Sequence, residues 1–253
     1  MDRRFWHLVV QFALKDFKIR YTHSVLGYAW SVLQPLVFSV VYYFVFTTFL
    51  HFDAHNFPGY LLLGMMLWAF FSEGSANGIG SLLARAGIIA KVPLPREAIV
   101  YAAILNALIG LAINLVILGI LLSVAGMQVV SWPLVTFPIA LLDLILLTTG
   151  LSLLLAPLHV RYHDVGYLWT VLLQIGFWLT PILYFDRLIP ERYRWILTVN
   201  PMTRIITQSR EAVVYQGWPD GVAMLQTFLF TGFVMVAGWW TFRRMQARLV
   251  EHI

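Results

Sequence analysis

The chain has 253 residues, 60 % of them hydrophobic and only 11 % charged. A soluble domain carries roughly 25 % charged residues, so this composition cannot cover a water-soluble globule and excludes that class. There is no cysteine, which removes disulfides, thiolate metal sites, iron–sulfur clusters and cysteine nucleophiles, and the net charge of +5 matters less than where the Lys and Arg residues fall.

Residues 1–20 predict an amphipathic helix. Arg4, His7, Gln11, Lys15 and Lys18 recur every three or four residues as one polar stripe, with Phe5, Leu8, Val9 and Phe12 on another face. Such a helix is expected to lie in the headgroup plane; the alternative is a short helix packed on its own bundle. No cleavable signal peptide is read, because Lys15, Asp16, Lys18 and Arg20 interrupt the apolar run that one requires.

A bilayer core of about 30 Å needs roughly 20 apolar helical residues. Six segments meet that need: 27–50, 59–83, 98–125, 132–157, 167–185 and 221–242. The expected fold is therefore an all-α polytopic membrane protein. An interface helix and connector over 1–26 precede a six-helix transmembrane unit over 27–253. Residues 72–81 are too polar to face lipid. With both ends in the cytoplasm, twelve of the seventeen Lys and Arg residues fall inside, the asymmetry that sets orientation. The other five, Arg187, Arg192, Arg194, Arg204 and Arg210, lie in 186–220. That segment contains Pro190 and Asn200-Pro201, so it cannot be one straight span. It reads as two short helices meeting at a break, an outer hairpin that can re-enter the membrane only where protein or a wet cavity surrounds it.

Few motifs carry chemistry. Gly78-Ile79-Gly80 lacks the strand and lysine of a phosphate cradle, so no nucleotide site is read in this chain. His159, His163 and Asp164 have helical metal-ligand spacing, but an ordinary interfacial loop explains them, and no metal is expected. Glu73 and Asp143 are acids inside predicted spans, functional candidates because burial against lipid is costly; they are either proton relays or structural hydrogen-bonding groups. Ala102, Asn106, Gly110 and Asn114 repeat every four residues and signal close helix packing.

Four ordered patterns are more specific. Asp16-Phe17-Lys18-Ile19-Arg20-Tyr21 leads into Ser24-Val25-Leu26-Gly27-Tyr28-Ala29-Trp30-Ser31 and Gln34-Pro35-Leu36. Lys91-Val92-Pro93-Leu94-Pro95-Arg96-Glu97 fills the first cytoplasmic loop. Arg161-Tyr162-His163-Asp164-Val165 precedes Leu173-Gln174-Ile175-Gly176-Phe177-Trp178-Leu179-Thr180-Pro181-Ile182. Asn200-Pro201-Met202 is followed by Arg210-Glu211. Over nearly the whole chain this order resembles the permease subunits of bacterial polysaccharide ABC exporters, of O-antigen, teichoic acid or capsule type, within the type-2 ABC exporter permeases. In the third pattern His163 precedes Asp164 where the family pattern places Arg and Asp adjacent or one residue apart. The resemblance implies two copies of this chain with two soluble ATPase subunits that hold ATP and Mg. It implies a lipid-linked glycan as cargo, moved outward across a bacterial inner membrane, and no nucleic acid. The rival readings are a type-2 exporter of drugs or small lipids, an ion-coupled carrier, and an integral membrane enzyme acting on polyprenyl-linked sugars.

Two sets of site residues follow. The loop 84–97, with Arg85, Ile88, Ile89, Lys91 and Arg96, is expected to dock the ATPase, because Pro93 and Pro95 stop a short helix and fix its exit. Phe38, Tyr42, Phe46 and Phe49 share one face of the first span, and Gln174, Phe177, Trp178, Pro181 and Tyr184 make a comparable stripe in the fifth. Stiff aromatic surfaces against which sugar C–H faces slide would suit a polymer channel within each subunit, with Tyr42, Phe46, Phe177 and Tyr184 as wall residues. Interfacial anchoring and helix packing are the competing explanations.

Overall fold

The computed structural model describes residues 3–21, 29–48, 57–124, 131–186 and 189–246. Among these the regular elements are all helical: α1 (Arg3–Tyr21), α2 (Trp30–Thr48), α3 (Phe57–Ala84), α4 (Ala86–Ile89), α5 (Glu97–Val124), α6 (Phe137–Arg161), α7 (Asp164–Leu179), α8 (Arg194–Val199), α9 (Pro201–Val213) and α10 (Gly221–Met245). Short 3-10 turns lead into α6 and α8. Among the described residues, α5, α6 with its leading turn, and α10 are long and apolar enough to cross a membrane. The apolar α7 is shorter, at 16 residues. It begins three residues before the predicted span and ends six before it, because the chain turns at Thr180-Pro181.

α3 sits at the centre of the bundle, against α2, α5, α6, α7 and α9. Its polar stretch is buried on one side, where Ser75 and Ser81 are buried and Gly74 and Gly78 abut Thr148 and Ser152 of α6, while Asn77 is exposed and lines a cavity between α1, α3 and α5. The expectation that 72–81 avoids lipid thus has a concrete cause. The main core joins Leu61, Met66 and Leu67 of α3 to Leu144 and Leu147 of α6 and Ile205 of α9.

α6 and α10 approach most intimately. A Cβ on Gly238 would overlap the carbonyl of Gly150, and one on Gly150 would lie 2.7 Å from the Met235 Cα. Two glycines on facing helices allow backbone contact, the device by which small residues bring membrane helices together. The α5 stripe plays a smaller part. Ala102, Asn106 and Asn114 are buried, but a Cβ on Gly110 would meet nothing within 4 Å, so that glycine makes no close approach.

Of the two expectations for α1, packing on its own bundle is what one face of the helix shows. Its polar stripe is exposed as expected, yet Val9 and Ala13 are fully buried against Ala98 and Ala102 of α5, with Phe5, Leu8 and Phe12 packed around them. The apolar face read from the sequence is thus occupied by the bundle. A neighbouring strip, Trp6, Val10 and Leu14, is exposed instead.

Candidate functional site

The turn after α7 is the junction of the molecule. Thr180 Oγ1 donates to the Gly176 carbonyl at 2.7 Å and accepts from Asn200 Nδ2 at 2.8 Å. Asn200 also caps α9 through Oδ1, which accepts from the Met202 N–H at 3.0 Å, and Pro201 follows in the first helical turn. An Asn cap followed by Pro is a strong local helix start. The two short helices α8 and α9 therefore meet at Asn200-Pro201, and the same asparagine ties them to the end of α7.

Arg210 locks this junction to α3. It is 3 % exposed. Its Nη1 donates to the Pro181 carbonyl at 2.6 Å, its Nη2 to the Ile182 and Tyr60 carbonyls at 2.9 and 3.0 Å, and its Nε to Tyr60 O at 3.1 Å. The planar five-donor fork suits a cluster of carbonyls that a lysine could not span. Burial pulls this guanidinium down to about 10, against smaller upward contributions from Tyr60, Tyr215 and Asp186, so it is charged at neutral pH. Tyr60 completes the knot by donating through its hydroxyl to the carbonyls of Pro181 and Tyr184. Gly64 leaves the room: a Cβ there would overlap Nη2 of Arg210. Sequence reasoning counted Arg210 among the outer-loop cations and missed this role. The available signal was the helix itself, whose apolar residues, among them Met202, Ile205, Ile206 and Ala212, gather on one side together with Arg210.

Beneath the junction an apolar cleft of about 510 Å³ opens between α3, α7 and α8. Trp68, Phe71, Trp169 and Trp195 line it, and Gly176 forms part of its wall, where a Cβ would come 3.0 Å from the Trp68 ring. Trp169 Nε1 donates to Ser75 Oγ at 3.0 Å, which holds that ring in place. A second cavity, of about 580 Å³, lies between α1, α3 and α5 and is lined by Asn77, Ser81 and Asn106 with Asp16 and Arg85 at its edge.

Of the expected channel stripe on α7, Gln174 and Trp178 are exposed. Phe177 packs on the core, its ring 5.9 Å from Trp68. Tyr184 is half-buried and donates to the Trp178 carbonyl at 2.8 Å. On α2, Phe38 is exposed; the side chains of Tyr42 and Phe46, and the whole of Phe49, lie outside the described residues. α2 and α7 both pack on α3.

The loop expected to meet a motor is structured by its neighbours. Arg85 pairs with Asp16 of α1 and lies over the Phe12 ring, 5.2 Å from its centroid. Arg96 donates to the Gln246 carbonyl at the end of α10, and Arg243 donates to Glu97 at 3.2 Å. Ile89 is buried in a small core with Ile99 and Phe242, whereas Ile88 and Lys91 are exposed. Arg85, Arg96 and Ile89 thus brace the loop against α1, α5 and α10, and Ile88 and Lys91 stay on the surface.

The two acids differ. Asp143 is fully buried; its Oδ1 accepts from Thr231 Oγ1 of α10 at 2.8 Å, and its Oδ2 has no partner among the described residues. Glu73 is half-buried on α3. At the end of α6, His159 Nδ1 accepts from the Gly166 N–H at 3.2 Å, a structural use of that imidazole at the turn into α7.

Residues 7–214 match the ABC-2 type transporter family. The chain is 30 % identical over 246 residues to an O-antigen export system permease protein RfbA of Klebsiella pneumoniae, covering 96 % of this chain and 94 % of that protein. It is 28 % identical to the RfbA permease protein of Myxococcus xanthus, covering 83 % and 80 % of the two chains. It is 25 % identical to a polysialic acid transport protein KpsM of Escherichia coli, covering 86 % and 85 %.

Proposed function

The chain belongs to the ABC-2 type transporter family, and on that premise we propose that it is the membrane-spanning permease of a polysaccharide exporter. In this reading it moves a lipid-linked, O-antigen-like glycan from the cytoplasmic side across the inner membrane, and a separate ATPase subunit supplies the energy. It is a transport subunit rather than an enzyme. The observation that carries the reading is end-to-end similarity to permeases named for O-antigen export, which a shared fold alone would not give.

The working unit is two copies of the chain with two ATPase subunits. Each copy makes six crossings with both termini in the cytoplasm, and 186–220 forms a re-entrant hairpin on the outer side. What supports the dimer is the state of α7. None of its residues is buried in a single copy, and Gln174 stands exposed among apolar neighbours. An amide facing lipid lacks hydrogen-bond partners, whereas the same amide facing a wet path between two copies is solvated. In place of a channel within each subunit, the stripes on α2 and α7 then border that path between copies, ATP and Mg reside on the partner subunits, and Ile88 with Lys91 meets the motor.

The deciding experiment replaces the chromosomal gene with an inducible copy and scores surface polymer against intracellular lipid-linked glycan. Depletion should abolish surface polymer while the lipid-linked form accumulates inside. Intact surface polymer, with sensitivity to drugs gained instead, would move the chain to the drug or small-lipid exporters of the same superfamily.

A further inference from the structure

The C-terminal end of α10, cytoplasmic in the orientation proposed above, carries two aromatic–cation pairs. Trp239 and Trp240 precede Arg243 and Arg244 by four residues each. The Arg243 guanidinium lies over the Trp239 ring, its Cζ 4.4 Å from the centroid, and that of Arg244 lies over Trp240 at 3.6 Å. Helical side chains lean toward the helix N-terminus, here toward the membrane, and both cations fold back onto the indoles. A long cationic side chain at a span end otherwise reaches outward for water. Tryptophan rings settle at the headgroup level of a bilayer, so these guanidiniums are held at the depth of lipid phosphates.

An apolar stripe leads into this end. Val222, Leu225, Leu229, Phe233, Val236 and Trp240 recur every three or four residues along α10, and each is at least half exposed. Arg244 continues the stripe four residues on. α10 is long and apolar enough to cross a membrane, so the stripe faces hydrocarbon. From Phe233 to Arg244 the helix rises about 16 Å, close to the roughly 15 Å of hydrocarbon in one leaflet. A single lipid can therefore lay a chain along Phe233 and Val236 and bring its phosphate to Arg244.

The charges choose the headgroup. Arg243 donates through Nε to Glu97 at 3.2 Å, which balances one cation. Arg244 has neither a hydrogen bond nor an acid partner among the described residues. An indole covers one face of its guanidinium, and the edge keeps its N–H donors in the fork that suits a phosphate. One positive charge is in surplus. That favours a lipid of net negative charge over a zwitterionic one, whose own ammonium would be brought beside the arginines.

We infer that the C-terminal end of α10 is a binding site for an anionic phospholipid, its phosphate held by Arg244 and Arg243 and one acyl chain lying along Trp240, Val236 and Phe233. The site adjoins the loop that would meet the motor, because Arg243 pairs with Glu97 at the start of α5 and Arg96 donates to the Gln246 carbonyl. A bound lipid would steady both contacts. The inference needs α10 to cross the bilayer and does not depend on what the chain exports.

The test is photolabelling of the assembled permease–ATPase complex in nanodiscs, with a phosphatidylglycerol carrying a diazirine in one acyl chain and the matching phosphatidylcholine as comparison. Label mapped by mass spectrometry is expected between residues 233 and 240, with phosphatidylglycerol exceeding phosphatidylcholine about fivefold. The excess should disappear in Arg244→Gln, which removes no contact but the stack on Trp240 and so keeps the fold. Equal labelling by the two lipids, an excess that survives Arg244→Gln, or an excess abolished by inorganic phosphate but not by chloride of equal ionic strength would overturn the inference. So would a disulfide between two copies formed from Val236→Cys, in a chain that has no other cysteine, since the stripe would then belong to a second copy. The depletion assay above reads the exporter proposal separately. Normal export without a lipid preference overturns only this site; a lipid preference without export overturns only the cargo.

Discussion

The Arg210 guanidinium donates to the backbone carbonyl of Tyr60 while lying over that residue's own ring, its Cζ 3.2 Å from the ring centroid. One side chain thus satisfies carbonyls of α3 and of the Pro181-Ile182 turn and gains a cation–π contact, which is strengthened by desolvation. An α9 residue thereby fixes the α8–α9 hairpin to the central helix.

Removing that guanidinium strands carbonyls at Tyr60, Pro181 and Ile182, each unsatisfied buried group costing about 1–3 kcal/mol. Arg210→Ala is expected to lower the thermal midpoint of the purified permease and to reduce its level in membranes. Arg210→Lys should recover little, because an ammonium cannot reproduce the fork. Gly64→Ala should damage the same knot by displacing Nη2. Combined with Arg210→Ala it should add almost nothing, since both changes act on one contact. Full additivity in thermal shift would show that Gly64 serves another purpose.

The Gly150–Gly238 contact makes a second expectation. Gly238→Ala should separate α6 and α10 and cut protein yield sharply, because the added carbon meets backbone rather than a movable side chain. Gly110→Ala is the control. It faces open space and should be neutral or stabilising by up to about 1 kcal/mol, the helix-propensity gain of Ala over Gly. Equal losses from both substitutions would remove the assignment of the close approach to α6 and α10.

Asp143 separates a relay from a brace. Its bond to Thr231 joins α6 to α10, and an amide can accept the same hydroxyl. Asp143→Asn should therefore keep both protein level and surface polymer, while Asp143→Ala leaves Thr231 without its acceptor and should lower protein stability. If Asp143→Asn abolishes export in a correctly assembled complex, the carboxylate itself takes part in transport.

The motor contact now has a sharper expectation. A crosslinker placed at Ile88 should reach the ATPase, since that side chain is exposed, and one at Ile89 should not, since it is packed against Ile99 and Phe242. Capture from Ile89 but not from Ile88 would require the loop to be rebuilt on docking.

What the sequence disclosed was largely local. Hydrophobic runs and Pro-marked ends located the helices, and Asn200-Pro201 announced the hairpin break because cap and breaker are adjacent in the chain. Relationships across the bundle were invisible. Asp143 and Thr231 are 88 residues apart, Tyr60 and Arg210 150 apart, and Gly150 and Gly238 lie on separate helices. No periodicity links such pairs; three-dimensional packing chooses them. The partner of the α1 face was left open for a related reason. Phe5, Leu8, Val9 and Phe12 form one apolar strip and Trp6, Val10 and Leu14 another, and composition does not say which of the two meets α5. In the candidate path, the α7 stripe was legible as a stripe, but the division between exposed Gln174 and Trp178 and packed Phe177 depends on where Trp68 of α3 sits.

That division supplies the test of the path. If the α7 stripe served only to pack helices, every large residue on it would matter for stability alone. The structure sorts them: Phe177 abuts Trp68, whereas Gln174 and Trp178 are exposed within a single copy. Phe177→Ala is therefore expected to destabilise the protein, by less than the change of a fully buried aromatic would, and to lower export through loss of protein. Gln174→Ala and Trp178→Ala remove little packing, so protein level, assembly with the ATPase and ATP hydrolysis should persist. If these side chains border the polymer path, surface polymer should nevertheless fall in both variants, and lipid-linked glycan should accumulate inside. Gln174→Leu sharpens the contrast. Against lipid it would be tolerated or favourable, because an apolar side chain replaces an amide. Facing a hydrated glycan, it removes a polar contact and should impair export as much as alanine does. Unchanged surface polymer in Gln174→Leu and Trp178→Ala, with normal assembly, would assign this face of α7 to lipid and leave the path to be sought elsewhere in the bundle.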